Sequence, residues 1–184
     1  MPVRLTAPLS PEDVKSLHAG DSVLLSGEVY TARDAAHERM AKAAQKGEAL
    51  PISLQGQTLY YAGPTPTPPG RAVGAIGPTT STRMDAYTPL LLSLGLNAMI
   101  GKGRRSPQVV EAMQAHPAVY FAAIGGAAAL MARCITACDV VAYEDLGTES
   151  IKRLTLKDLP LIVAVDCYGG DYYELGQQRY RDSR

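Results

Sequence analysis

The chain has 184 residues, with 18 lysines and arginines against 18 aspartates and glutamates, and 46% of it is hydrophobic. That length suits a single domain, residues 1–184, with a substantial core, and the balanced charge excludes a long-range field toward nucleic acid or an anionic membrane, so any anion site must be local. No apolar run reaches the span of a bilayer, and Met1-Pro2-Val3-Arg4 is not followed by the apolar core of a secretion signal, so a cytoplasmic chain is expected.

Arg4-Leu5-Thr6 reads as an edge strand. Ser10 before Pro11, Glu12 and Asp13 supplies the cap, first-turn proline and early acids of a short helix that Gly20-Asp21 ends. Residues 22–30 read as a strand and 31 to about 45 as a helix with Ala36, Met40, Ala43 and Ala44 on one face. Thr31 with Asp34 makes a cap pair, which puts Arg33 in the first turn. Residues 57–62 read as a strand, and 63–70, with four prolines, cannot be regular structure and suits an ordered loop beside a site.

Residues 72–76 form a short apolar strand, after which Met84, Tyr87, Leu91 and Leu94 recur at helical spacing. Residues 98–100 are a brief strand, and Ser106-Pro107 opens a helix through Met113. A strand at 118–123, a small-residue helix at 126–133, a strand at 139–143 and a strongly apolar strand at 160–166 follow, and a polar helix runs to the end of the chain. Such alternation predicts an α/β fold, a mixed and partly parallel sheet with flanking helices.

Three cysteines, Cys134, Cys138 and Cys167, lack paired spacing, so a disulfide framework is not expected. Cys134 and Cys138 would share a helix face but have no Cys-x-x-Cys or His partner, and they read as buried small apolar residues. His18, His37 and His116 form no metal spacing. Ten tyrosines against one phenylalanine suit a partner surface or a polar cleft.

The run Gly77-Pro78-Thr79-Thr80-Ser81-Thr82-Arg83-Met84-Asp85 places four hydroxyls and a guanidinium at a strand-to-helix junction. There the first backbone N–H groups lack intrahelical partners and the dipole is positive, so a carboxylate or phosphate is welcome, and Arg83 adds a planar fork. The plain alternative is a Ser/Thr cap with a solvated Arg83. Gly101-Lys102-Gly103 invites a phosphate loop, but Gly95 stands too far upstream and Gly103 replaces the hydroxyl that would hold magnesium. Lys102, Arg104 and Arg105 read as a solvated turn rather than a nucleic-acid patch. Arg33, Thr79, Arg83 and Lys102 instead form one set at strand ends, and in a parallel sheet such ends gather where ligands bind. Three cations and a hydroxyl suit a small dicarboxylate. No ready general base, metal site or cofactor cradle accompanies them, so the set reads as half of a site.

Leu25-Ser26-Gly27, Ala32-Arg33-Asp34-Ala35-Ala36-His37, Tyr61-Ala62-Gly63-Pro64, the Gly77 to Asp85 run, Ile100-Gly101-Lys102-Gly103 and Val163-Ala164-Val165-Asp166, in this order, resemble the C-terminal domain of iron–sulfur-dependent hydro-lyases, the class I fumarate hydratases and L-tartrate dehydratases. The resemblance covers nearly the whole chain, and Glu144 to Ile151 leans toward the fumarate hydratase branch. It implies a swivelling β/β/α domain acting as a β subunit, partnered in an α₂β₂ heterotetramer by an α subunit whose three cysteines hold a [4Fe–4S] cluster that binds the substrate hydroxyl. It further implies that Arg33, Arg83 and Lys102 hold the substrate carboxylates. Thr79 would be the base for the carbon-bound proton, which requires nearby positive charge to favour its alkoxide, or else a hydrogen-bonding group only. His37, one turn beyond Arg33, is either a helix-surface residue or a neighbour of the site. An L-tartrate dehydratase subunit is the nearest alternative, and a non-catalytic dicarboxylate-binding or assembly module is the alternative of another class.

Overall fold

The computed structural model describes residues 1–182; Ser183 and Arg184, which belong to the predicted final helix and to the single-domain reading, lie outside the described residues. Seven strands, β1 (Val3–Ala7), β2 (Ser22–Thr31), β3 (Thr58–Tyr60), β4 (Ala98–Gly101), β5 (Val119–Ala122), β6 (Ile135–Ala142) and β7 (Ile151–Val165), form one mixed sheet. Six helices flank them: α1 (Pro11–Ser16), α2 (Asp34–Gln45), α3 (Thr88–Ser93), α4 (Pro107–Ala115), α5 (Ala128–Met131) and α6 (Tyr172–Asp182). The predicted α/β class with a mixed sheet and flanking helices is what the structure shows.

Strands β1 to β5 pair in parallel in chain order, and β7 returns antiparallel to pair with both β5 and β2. The succession β2-β3-β4-β5-β7 therefore closes on itself, with β1 and β6 outside the ring. Alternation along the parallel strands sends neighbouring residues to opposite faces. Tyr60, Ile100 and Phe121 enter a core shared with Leu5, Leu25, Val29 and Val163, while Leu59, Met99 and Tyr120 enter a second core with Met40, Leu91, Val109 and Met113 of the helices. Burial on both faces explains why β4 and β5 read as continuous apolar runs.

Helix α1 begins as its sequence indicates: Ser10 Oγ accepts from the Asp13 N–H at 3.1 Å and the Asp13 carboxylate accepts from the Ser10 N–H at 2.9 Å. Five expectations change. Thr31 does not cap α2; it is the last residue of β2, and its hydroxyl donates to Ser150 O and accepts from Lys152 N on β7. Residues 72–76 are not a strand, because among the described residues they find no partner strand along their length; instead Thr65 N donates to Ala75 O in the neighbouring loop and Ile76 N to Ala128 O at the start of α5. The helical run after Arg83 is split into a 3₁₀ turn, Ser81–Met84, and a short α3, since Pro89 can sit only in a helix's first turn. The last strand is longer than residues 160–166, running from Ile151, and the strand read at 139–143 likewise begins earlier, at Ile135. Pro160, in register with Leu24 of β2 on one side, is tolerated in β7 because its other side lies between the last pairing with β6, at Leu156, and the first with β5, at Ile162. Among the described residues no helix is long and apolar enough to cross a membrane.

Candidate functional site

Because β2 to β5 run in parallel, their C-terminal ends share one edge, and backbone hydrogen bonds carry the sheet past its last residues there. Ala32 N donates to Tyr60 O at 3.0 Å and Tyr61 N to Ile100 O at 2.8 Å. The Gly77 to Asp85 segment threads between the ends of β3 and β4: Thr79 N donates to Tyr61 O at 2.6 Å, Lys102 N to Thr79 O at 3.3 Å, and Ser81 N to Lys102 O at 2.9 Å. Gly101 allows this approach, since a Cβ there would collide with Ser81 Oγ. Ser81 is fully buried, its hydroxyl 2.8 Å from Tyr120 Oη, which itself donates to Gly103 O at 2.8 Å.

Beneath that edge lies a buried cation that sequence reading placed in solvent. Arg105 is only 5% exposed. Its Nε donates to Asp85 at 2.8 Å, Nη1 to Tyr61 Oη at 3.1 Å and Nη2 to Thr88 Oγ1 at 2.7 Å, and the guanidinium lies over the rings of Tyr61 and Tyr120. The other Asp85 oxygen accepts from Ser106 N at 2.7 Å. These satisfied partners make burial of the charge tolerable, and they pin the motif's last residue to the start of α4.

The predicted residues lie along this edge. Arg33 is the N-cap of α2 with its side chain 22% exposed, Nη2 3.4 Å from Glu149 Oε1 and Nε buried without a partner among the described residues. Arg83, in the 3₁₀ turn and half-exposed, forms an ion pair at 2.5 Å with Asp34 in the first turn of α2. Asp34 thus brings the two arginines' elements together. Thr79 and Lys102 are joined through their backbones; among the described residues neither the Thr79 hydroxyl nor the Lys102 ammonium has a polar partner, and Lys102 runs beside Gly125. A cavity of about 770 Å³ lies elsewhere, lined by Arg104, Tyr172, Tyr173 and Tyr180 beside α6.

His37 is not on a helix surface. It is fully buried, its Nδ1–H donates to Arg33 O at 3.0 Å, and its ring meets Tyr61 edge-on with centroids 5.1 Å apart. Burial lowers its pKa from 6.5 to about 4, so it is neutral, and among the described residues Nε2 finds no partner. Sequence reading left three further residues without a role here: Glu149, which reaches Arg33 and the start of α2; Thr148, packed against Gly63; and Lys152, whose ammonium holds their loop. The Glu144 to Ile151 motif marked the segment but not its contacts.

Cys167 is buried with its thiol against Val14 O, and Cys134 lies against Asp158 O. Cys134 and Cys138, half-buried against the β1–β2 side core, belong to a 3₁₀ turn and to β6 rather than to one helix face. Burial raises the pKa of all three thiols. Among the described residues no three His, Cys, Asp or Glu side chains gather as a metal-binding group.

Comparison with known proteins places these features in a family. The family model described as fumarase C-terminus matches residues 1–176. The aerobic class I fumarate hydratase of Salmonella typhimurium is 40% identical over 152 residues, 82% of this chain and 26% of that protein. Fumarate hydratase 2 of Leishmania major is 39% identical over 156 residues, 84% of this chain and 28% of that protein. A protein of Methanocaldococcus jannaschii, provisionally named the beta subunit of an L(+)-tartrate dehydratase, is 37% identical over 172 residues, 90% of this chain and 88% of that protein. The chain thus spans about a quarter of these two fumarate hydratases and most of the tartrate dehydratase subunit.

Proposed function

We propose a function from one premise: the chain belongs to the fumarase C-terminus family, whose model matches residues 1–176. It is the β subunit of a two-subunit hydro-lyase that interconverts fumarate and L-malate, working in an α₂β₂ assembly with an α subunit that holds the [4Fe–4S] cluster. The similarity to a protein provisionally named a β subunit, over 88% of that protein, supports a role beside a partner subunit. The two cores on opposite faces of β3 to β5 suit the family's swivelling β/β/α domain.

The observation that carries the reading is the placement of Arg33, Thr79, Arg83 and Lys102 at one sheet edge, where backbone bonds join Thr79 to Tyr61 and Lys102 and an ion pair joins Arg83 to Asp34, next to Arg33. Arg33, Arg83 and Lys102 bind and orient the two carboxylates of the substrate. Thr79, next to Lys102 across the strand pairing, takes the carbon-bound proton of malate, and the surrounding cations lower the cost of its alkoxide.

The test is co-expression with a cluster-bearing α subunit. The complex is expected to hydrate fumarate reversibly, and Arg83→Ala to abolish this without unfolding the chain; full activity of the isolated chain would overturn the half-site reading. The tartrate dehydratase relative, matched over 88% of its length, favours tartrate as the second reading. Comparing kcat/KM for L-malate and L-tartrate separates them, because an extra hydroxyl needs a matching polar group. Tight calorimetric binding of fumarate to the isolated chain would instead favour a binding module.

A further inference from the structure

The loop before β7 reaches the β2–α2 junction with one carboxylate. Lys152, at the start of β7 and 8% exposed, donates from Nζ to the carbonyls of Gly147 at 3.0 Å, Thr148 at 3.2 Å and Ser150 at 3.4 Å, and to Ser150 Oγ at 2.6 Å. With an ammonium committed to so many acceptors of one short loop, residues 147–150 are fixed relative to the sheet. Thr148 is pressed against Gly63 so closely that a Cβ on Gly63 would lie 2.8 Å from Thr148 Cγ2, 2.9 Å from Thr148 O and 3.2 Å from Arg33 Cδ. The stem of Arg33 is therefore walled in by this loop and by the exit of β3.

Glu149 completes the arrangement. One of its oxygens accepts from the Ala35 N–H at 3.0 Å, doing for α2 what Arg33, an N-cap without a side-chain hydrogen bond, does not; the other lies 3.4 Å from Arg33 Nη2. Among the described residues Arg33 Nε is buried with no acceptor, and no protein group takes Nη1. The carboxylate thus restrains one nitrogen of the fork, Nε stays walled in, and Nη1 is left for an incoming anion.

We propose that Glu149 is a positioning residue: braced by Lys152, it fixes the plane of the Arg33 guanidinium so that Nη1 meets a substrate carboxylate. This inference rests on the substrate role proposed above for Arg33. It differs from the simpler role of a helix cap, which would act on α2 whatever stood at position 33.

The experiment is a double-mutant cycle on the assembled two-subunit complex, with calorimetric Kd for succinate, a non-reacting dicarboxylate, as the readout beside KM and kcat for fumarate. Glu149→Gln keeps an oxygen for the Ala35 N–H but loses the charge facing Arg33. It is expected to weaken succinate about tenfold and to raise KM in parallel, and in an Arg33→Lys background to have less than about a twofold further effect, because the planar fork it orients is gone. Equal weakening in both backgrounds would mean capping alone, and unchanged or tighter binding would mean no positioning; either overturns the proposal. If the Glu149→Gln complex fails to assemble, Glu149→Asp, too short to span both partners, is read in the same cycle with the same criteria. An unsubstituted complex that neither binds succinate nor hydrates fumarate would fail the functional reading itself, and this inference with it. A competent unsubstituted complex with additive effects fails this inference alone.

Discussion

His37 stands at the seam between the sheet edge and the helix-side core, with Arg33 O on one side and the rings of Tyr61 and Tyr87 on the other. Its burial leaves a pH signature. Desolvation dominates the lowered pKa, the carbonyl of Arg33 partly opposes it, the charge of Arg105 adds to it, and Asp34 opposes it. In the unfolded chain the imidazole takes up a proton near 6.5, whereas in the folded chain it resists down to about 4. Between these values the unfolded state binds more protons, so stability is full above pH 6.5 and declines as pH falls toward 4, by about 3 kcal/mol over the window. Urea unfolding midpoints measured across that range should fall steeply in the unsubstituted chain, and less steeply in His37→Gln by about this amount. An unchanged slope would mean that the buried ring is protonated with a partner.

At the scale of elements, the segment Gly77 to Asp85 is held at its far end by one buried pair. Arg105, with a side chain 0% exposed, grips Asp85, 11% exposed, and Asp85 also takes the N–H of Ser106 at the start of α4. Removing the cation leaves a nearly buried carboxylate with one donor, and strips the Tyr61 and Thr88 hydroxyls of theirs. Arg105→Met is expected to cost about 3–5 kcal/mol, as breaking one side of a buried pair does. Denaturant melts would measure the loss, and hydrogen exchange should show the 79–85 segment opening first. Starts of elements such as α1 and α4 were legible because Ser10 and Ser106 act on neighbours three residues away. The apolar stretch 72–76 misleads because Val73 and Ile76 are indeed buried, but a strand is defined by a partner that no local pattern supplies. The same contrast divides the candidate site. Arg33, Thr79, Arg83 and Lys102 were readable as cations and a hydroxyl at strand ends, whereas Glu149 acquires its role only by meeting Ala35, 114 positions earlier, and Lys152 only by turning back on its own loop.

For the molecule as a whole, the closed ring of strands makes two cores share one framework. Met99 and Ile100 are neighbours on β4 and both 0% exposed, yet Met99 packs toward α4 and α3 while Ile100 packs toward β2, β7 and the first core. If the layers were independent, a cavity in one would leave the other's melting untouched. Because β3, β4 and β5 contribute to both, neither face can lose its packing without unpairing the strands on which the site's edge depends. Met99→Ala and Ile100→Ala are each expected to cost about 2–5 kcal/mol, and each should shift one cooperative transition seen together by far-ultraviolet circular dichroism and tyrosine fluorescence. Two separated transitions in either variant would mean that the helix layer and the sheet layer fold apart. In that case the alignment of Arg33 on the β2–α2 junction with Lys102 at the end of β4 would survive only while the helix layer stays docked.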